Sequence, residues 1–176
     1  LNKRIWILLK NGLHCLKRSS FKVPGILIVA HTPIAGSMLG FVEHTYGKVP
    51  DRMAAVDIPP YEDTKVSFDR VYEAATQVQS EYGILVLTDV MGATPANVAT
   101  RLAKSGLFPC KVIVLAGVNL PMLMRAISYR GAGVESVALK AMQGGQNGII
   151  RLGAPSLMAD ADLILNQNAG TSDAKS

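Results

Sequence analysis

The sequence predicts an α/β fold with a doubly wound, mostly parallel four-stranded sheet in the order 2-1-3-4, a short extra edge strand and helices on both faces. Three observations lead to this prediction. From residue 23 onward, short apolar runs alternate with longer segments of helical periodicity, which is the pattern of βα units. The first of these runs, GILIVA at 25–30, is unbroken, as in a strand buried on both faces. A length of 176 residues suits one domain with a sizeable core.

The predicted strands are the short, mainly apolar runs of the chain. Four of them form the main sheet, at residues 25–30, 53–57, 84–88 and 112–116. A glycine-rich turn over 144–148 is followed by a fifth run at 149–152, which is short enough to be an edge strand.

The predicted helices follow the strands and have apolar residues three and four positions apart. They cover residues 33–46, 66–82, 94–104, 120–129 and 135–143. Thr32-Pro33 and Thr94-Pro95 each resemble a capping residue followed by a proline in the first helical turn, and Asn119 is a third predicted cap.

The net charge of +5 is concentrated at one end of the chain. Residues 1–22 contain six basic residues and no acidic one, so residues 23–176 have a net charge of −1. This distribution argues against a nucleic-acid-binding face on the folded part. We expect residues 1–22 to be a basic extension without a catalytic role, disordered or derived from cloning, residues 23–153 to be the domain, and residues 154–176 to be a tail.

Cysteine content and hydropathy indicate the cellular setting. Cys15 and Cys110 form neither a C-x-x-C pair nor a metal-ligand spacing, which favours a reducing, cytoplasmic location and no metal. No apolar stretch approaches the length of a membrane span, so we expect a soluble protein. Nucleotide-binding, zinc-protease and serine-hydrolase motifs are absent, and no cofactor is predicted.

Polar residues stand where each predicted strand ends, at His31, Asp57, Asp89 and Asn119. In a doubly wound sheet, ligands bind outside the carboxyl ends of the strands, where the strand order reverses. The order 2-1-3-4 makes strands one and three neighbours. It therefore predicts that His31 and Asp89 meet at this edge.

A histidine paired with a carboxylate suits nucleophilic chemistry. The carboxylate accepts the proton on Nδ1, fixes the tautomer and leaves Nε2 free to attack. A helix N-terminus directly after His31 would disfavour the imidazolium and stabilise a phosphoryl group on the ring. The Thr94 hydroxyl and the amides of Gly92 and Ala93 are candidate phosphate-binding groups, as is Thr32.

Structural interpretations of the same residues remain open at this point. A histidine at a strand end is more often a hydrogen-bonded structural residue than a nucleophile. Asp57 and Asp89 can each cap backbone amides, and Thr94 and Asn119 can serve as helix caps without any further role.

Together with His31, two sequence blocks resemble those of a known family. LTDVMGATPAN at 87–97 and AGVNLPML at 116–123 resemble the enzyme IIA component of the mannose-type phosphotransferase system, and the similarity spans residues 24–152. The resemblance implies that His31 accepts a phosphoryl group from phospho-HPr and passes it to a IIB protein in phosphoenolpyruvate-dependent sugar uptake, with Asp89 orienting the ring. It also implies a homodimer, in which the short C-terminal strand is exchanged between subunits.

The sequence departs from the family pattern at two places. Members often have Gly-Gly-Ser-Pro where this chain has Gly92-Ala93-Thr94-Pro95, and often have glycine after the histidine, where this chain has Thr32. Thr94 keeps the hydroxyl group. We expect a separate IIB protein as acceptor, and contact with the membrane only through a permease complex. The alternatives are a regulatory module whose phosphorylation state is read by a partner, and a phosphoryl donor to a dihydroxyacetone kinase.

Overall fold

The computed structural model describes residues 22–153. The predictions for residues 1–21 and 154–176 therefore lie outside the described residues. Within them, strands and helices alternate as predicted, in the order β1 (Gly25–His31), α1 (Ile34–Tyr46), β2 (Met53–Ile58), α2 (Thr64–Val78), β3 (Ile84–Thr88), α3 (Thr94–Lys104), β4 (Val112–Ala116), α4 (Leu120–Ser128) and α5 (Val134–Asn147).

All four strands are parallel and lie in the order β2-β1-β3-β4, which confirms the predicted topology. β1 sits between β2 and β3, with Ala30 opposite Asp57 and Val29 opposite Thr88. The strand order reverses between β1 and β3. The carboxyl ends of these two strands therefore form the switch point of the sheet.

Two apolar cores sandwich the sheet, one on each face. Ile26 and Ile28 of β1 point into the core that the sheet forms with α1, α4 and α5. Leu27 and Val29 point into the opposite core, which includes α2 and α3. All four side chains have no exposed surface, because alternate residues of a central parallel strand face opposite layers of helices.

The second helix begins and ends earlier than its apolar pattern predicts. Its N-cap is Asp63, whose carboxylate accepts hydrogen bonds from the amides of Lys65 and Val66 at 2.8 and 3.4 Å. The chain leaves the helix at Gln79, which has an extended conformation, and the Ser80 hydroxyl then donates to the Val23 carbonyl. The predicted helical residues as far as 82 are instead part of the connection to β3.

The predicted turn over 144–148 and the edge strand at 149–152 are both wrong for the described residues. α5 continues through the glycines to Asn147 because they permit close contact with α4. A Cβ added at Gly144 would lie 2.6 Å from Arg125 Cβ, and one at Gly148 would lie 2.4 Å from Pro121 Cβ. Residues 149–152 are not paired with any strand of the described residues, and their side chains are exposed.

At the end of the sheet where the strands begin, opposite the switch point, a buried arginine links three segments of the chain. The Arg130 guanidinium donates to the Pro24 carbonyl at 3.1 and 3.3 Å and to the Asp51 carbonyl at 2.6 Å. These bonds join the end of α4 to the residues just before β1 and β2. Across residues 22–153, no helix has the length and apolar character that a bilayer crossing requires.

Candidate functional site

The switch point brings His31 and Asp89 into direct contact, as the strand order predicts. His31 Nδ1 lies 2.7 Å from Asp89 Oδ2, and the His31 amide donates to the same oxygen at 2.9 Å. His31 is the last residue of β1, and Asp89 directly follows β3. Because β1 and β3 are adjacent parallel strands, the side chains at their ends meet at one edge.

Asp89 is held from several sides. Its second carboxylate oxygen accepts the Val90 amide at 2.8 Å, and its carbonyl accepts the Gly117 amide at 2.7 Å. Burial of the carboxyl group acts to raise the pKa of Asp89. The hydrogen bonds from the His31 and Val90 amides and from the His31 ring outweigh burial, so the pKa lies below its ordinary value. Asp89 is therefore ionised at neutral pH.

The two partners differ in exposure, and this decides which ring nitrogen can react. The Asp89 side chain is 8% exposed and the His31 side chain 44%. In a neutral ring, a carboxylate beside Nδ1 selects the tautomer with its proton on Nδ1. The lone pair of Nε2 is then available at the surface, which is the arrangement that a nucleophilic imidazole needs.

The N-terminus of α1 is capped differently from the prediction. Thr32 is not the cap, since the N-cap is Pro33, which makes no side-chain hydrogen bond. Instead, the Asp57 carboxylate accepts the amides of Ala35 and Gly36 at 2.9 and 3.1 Å. The Thr32 amide donates to the Ile58 carbonyl at 3.1 Å, so a contribution of Thr32 to phosphate binding would come from its exposed hydroxyl.

The loop from Asp89 to α3 presents the other predicted phosphate-binding residues. Gly92 has a φ of 85°, and its carbonyl accepts the Asn97 side-chain amide at 3.0 Å. The Ala93 amide is engaged by the Val90 carbonyl at 3.3 Å. Thr94 is the first residue of α3 rather than its cap, because Ala93 occupies the N-cap position and makes no side-chain bond.

Several backbone donors of this loop and of the α3 start make no hydrogen bond with the described residues, among them the amides of Gly92 and Thr94. The first amides of a helix have no partner within it, and they carry partial positive charge. The α3 terminus is therefore available to an anion, whereas Asp57 already occupies two amides of the α1 terminus.

Asn119 acts as the helix cap that the sequence predicts. Its Oδ1 accepts the Met122 amide at 2.9 Å, and its Nδ2 donates to the Gly145 carbonyl at 3.2 Å. These bonds join the end of β4 to α4 and α5. Within the described part of the chain, no three histidine, cysteine, aspartate or glutamate side chains are grouped to hold a metal ion.

Sequence reasoning missed two features of the site. It did not identify Gly117 as a partner of Asp89, although the Gly117 amide donates a hydrogen bond to the Asp89 carbonyl. It also overlooked Gly36 at the start of α1, where an added Cβ would lie 2.7 Å from Asp57 Oδ2 and would displace this carboxylate. The available signal was the aspartate at the end of β2 together with a glycine in the next helix, but many aspartates and glycines share that spacing.

The fold and the site together define a class: a doubly wound α/β domain with a half-exposed histidine oriented by a buried carboxylate at its switch point. The sequence model of the PTS system fructose IIA component matches residues 25–142. The chain therefore belongs to this family and is a component of the phosphotransferase system.

Solved structures are consistent with this assignment. The chain is similar to the phosphotransferase system component EIIA from Streptococcus agalactiae, with 27% identity and a TM-score of 0.65 over 72% of this chain and 95% of that one. The mannose/sorbose specific IIA subunit from Enterococcus faecalis has 23% identity and a TM-score of 0.65, over 76% and 98%. A sigma-54 interaction domain protein from Enterococcus faecalis shares the fold, with 16% identity and a TM-score of 0.60, over 73% and 94%.

Proposed function

We propose that this protein is a phosphocarrier that accepts a phosphoryl group from phospho-HPr on His31 and passes it to a separate IIB protein during sugar uptake. The observation that carries the proposal is the 2.7 Å contact between His31 Nδ1 and Asp89 Oδ2, which leaves Nε2 at the surface. Membership of the IIA family supports the same chemistry. The expected location is the cytoplasm, where both partners would be met.

The transfer is an in-line exchange between two nitrogen atoms. The lone pair of His31 Nε2 attacks the phosphorus of the donor, a new N–P bond forms, and the donor's N–P bond breaks with its electron pair returning to the donor imidazole. Onward transfer repeats the step, with Nε2 as the leaving group. Asp89 keeps the proton on Nδ1 throughout and stabilises the positive charge that the ring gains.

The open donors on the β3–α3 loop suit the equatorial oxygens of the moving phosphoryl group. The amides of Gly92 and Thr94 have no other partner in the described residues, and the Thr94 hydroxyl is exposed. Backbone amides that need no rearrangement are effective at stabilising charge in a transition state. In this proposal Gly92, Ala93 and Thr94 shape the phosphate-binding loop, and Thr32 borders it.

The deciding experiment is phosphorylation by phosphoenolpyruvate, enzyme I and HPr, followed by analysis for acid-labile, base-stable phosphate. We expect labelling that requires HPr and disappears in His31→Ala. His44→Ala is the matched control, since His44 is an exposed histidine at the end of α1, and it should label normally. Label retained by His31→Ala, or none on the folded wild type, would refute the proposal.

We also propose that the functional unit is a homodimer. β4 is the last strand of the sheet, so its outer edge lacks a partner in the described residues, and its side chains are only half-buried. Ile149, Ile150 and Leu152 are 75%, 69% and 88% exposed. An unpaired strand edge beside exposed apolar residues is a surface that pairing with a second copy would cover. Exchange of residues 149–152 between subunits would use both features.

A regulatory role is the second candidate. A sigma-54 interaction domain protein shares this fold, so the fold also occurs in a protein that is not named as a sugar-transport component. In the regulatory role, a partner would read the phosphorylation state instead of receiving the phosphoryl group. Following the label on the phosphorylated protein after an acceptor is added distinguishes the two roles. When a IIB protein is added, a phosphocarrier loses its label to that protein, whereas a regulatory module keeps it. Transfer to a dihydroxyacetone kinase is a third outcome of the same chase.

A further inference from the structure

Asp57 stands beside the proposed reaction centre without taking part in the step described above. It is the fifth residue of β2 and lies opposite Ala30, the residue before His31. Its two carboxylate oxygens each accept one amide from the first turn of α1, Ala35 at 2.9 Å and Gly36 at 3.1 Å. A Cβ added at position 36 would lie 2.7 Å from Asp57 Oδ2, so a side chain there would displace this carboxylate.

This arrangement places a full negative charge on the helix end that follows the histidine. α1 has 13 residues and begins three residues after His31. A helix of this length carries roughly half a positive charge at its N-terminus. The Asp57 carboxylate more than offsets that charge. A free helix terminus would attract a phosphoryl group. The α1 terminus therefore does not, because the Asp57 charge neutralises it.

The second helix end at the site has the opposite character. α3 has no side-chain cap, its first turn contains no acidic residue, and the Thr94 amide is open within the described residues. Of the two helix ends that adjoin His31 and Asp89, one is neutralised and the other can bind an anion. A carrier must release its phosphoryl group as readily as it accepts it, and two attractive helix ends would hold the group too tightly.

We propose that Asp57 is a positioning residue that lowers the stability of the phosphoryl group on His31, so that the group remains transferable. It acts by occupying the α1 amides with its own charge and leaving α3 as the anion-binding terminus. This inference rests on the proposed phosphocarrier function. It adds a control of the phosphoryl-transfer equilibrium that the His31–Asp89 pair does not provide.

The test is Asp57→Asn, which removes the charge but keeps an oxygen that can accept one of the two amides. The equilibrium constant for phosphoryl exchange with HPr is measured, because it depends on the stability of phospho-His31 and not on how the proteins dock. We expect a shift of about two- to fivefold towards the phosphorylated form. Transfer onward to the acceptor should slow by a similar factor.

Asp63→Asn is the matched control, since the Asp63 carboxylate also accepts two amides at the start of a helix, both through Oδ1, and the helix is α2, which does not adjoin His31. It should lower the thermal stability without moving the exchange equilibrium. If Asp57→Asn also changes only thermal stability, Asp57 is a structural cap and the inference is wrong. Asp57→Ser, a neutral residue that caps helices well, provides a second variant if the asparagine protein folds poorly.

Titration with inorganic phosphate, followed by amide chemical shifts, separates failure of this inference from failure of the proposed function. We expect Asp57→Asn to bind phosphate two- to fivefold more tightly than the wild type, whether or not HPr phosphorylates the protein. If Asp57→Asn binds phosphate more tightly but HPr does not phosphorylate the protein, the proposed phosphocarrier function is refuted and the electrostatic role of Asp57 is supported. Normal phosphorylation with unchanged binding and an unchanged equilibrium would refute the inference alone.

Discussion

Asp89 Oδ2 accepts two hydrogen bonds from a single residue, the amide and the ring of His31. The backbone and the side chain of the histidine are thus fixed by the same atom. The other oxygen is held by the Val90 amide, so the carboxylate cannot rotate without losing a partner. The ring orientation is therefore set before any partner protein arrives, which reduces the entropy cost of reaching the transition state.

Replacing Asp89 with asparagine should slow phosphorylation of His31 by roughly 100- to 10,000-fold. The asparagine amide can donate to Nδ1, which selects the tautomer with its proton on Nε2 and removes the nucleophilic lone pair. Rapid-quench measurement of labelling by phospho-HPr tests this, with circular dichroism to establish that the variant is folded. A rate within threefold of the wild type would contradict the orienting role.

The lowered pKa of Asp89 also predicts how stability depends on pH. A carboxylate whose pKa is lower in the folded than in the unfolded chain stabilises the fold above the unfolded value, near 3.8, and this stabilisation disappears as pH falls through the folded pKa. The difference in unfolding free energy between the wild type and Asp89→Asn should therefore narrow from pH 6 towards pH 2. Urea denaturation at several pH values measures it, and a constant difference would contradict the assignment.

α4 and α5 pack closely against each other, because glycines replace side chains where they meet. A Cβ at Gly144 would lie 2.6 Å from Arg125 Cβ and 3.1 Å from the Pro121 carbonyl oxygen. Asn119 further ties this pair to the end of β4 through the Gly145 carbonyl. The position of the β4 loop, whose Gly117 amide holds Asp89, thus depends on how closely these helices pack.

Gly144→Ala should destabilise the fold by about 1–3 kcal/mol, since the added methyl group has no space. Gly40→Ala is the control. Gly40 lies in α1, and a Cβ there would meet nothing within 4 Å. Relief of glycine's conformational entropy should stabilise that variant by about 0.5–1 kcal/mol. Urea unfolding compares the two, and equal effects would show that packing between α4 and α5 is not the cause.

The glycines at the end of α5 and at its C-cap, Gly148, could not be interpreted correctly from the sequence. The predicted bounds of β3 and β4 agree with the structure, because each is a short, mainly apolar run followed by a polar or glycine-rich loop. Gly144, Gly145 and Gly148 instead suggested a turn, since glycine is a poor helix former when considered alone. Only the partner helix explains them, and a single sequence does not reveal which helix packs where.

The same limit applies to the candidate site. Strand order alone predicted the contact of His31 with Asp89, because both follow neighbouring parallel strands. The caps were harder to predict. Asp57 was considered only as a possible cap, and the amides that it binds were not identified, because a cap from a neighbouring strand has no local sequence signature.

The proposed dimer predicts which residues control self-association of the protein. Ile150→Asp places a charge in the exposed apolar segment 149–152 and should weaken self-association by at least about tenfold. Sedimentation equilibrium measures the dissociation constant. Leu107→Asp is the control, since Leu107 is 54% exposed and follows α3, and it should leave association unchanged. A monomeric wild type, or equal effects of both variants, would contradict the proposal.

The direction in which β1 runs determines how the protein can be attached to a surface with its histidine accessible. β1 begins at Gly25, beside the Arg130 bonds to Pro24 and Asp51, and ends at His31. Its seven residues, at about 3.3 Å each, separate that fastened edge from the histidine by roughly 20 Å. A tether placed just before β1 would therefore present the reactive ring outward, so that immobilised protein could be phosphorylated and its partners captured in sequence from solution.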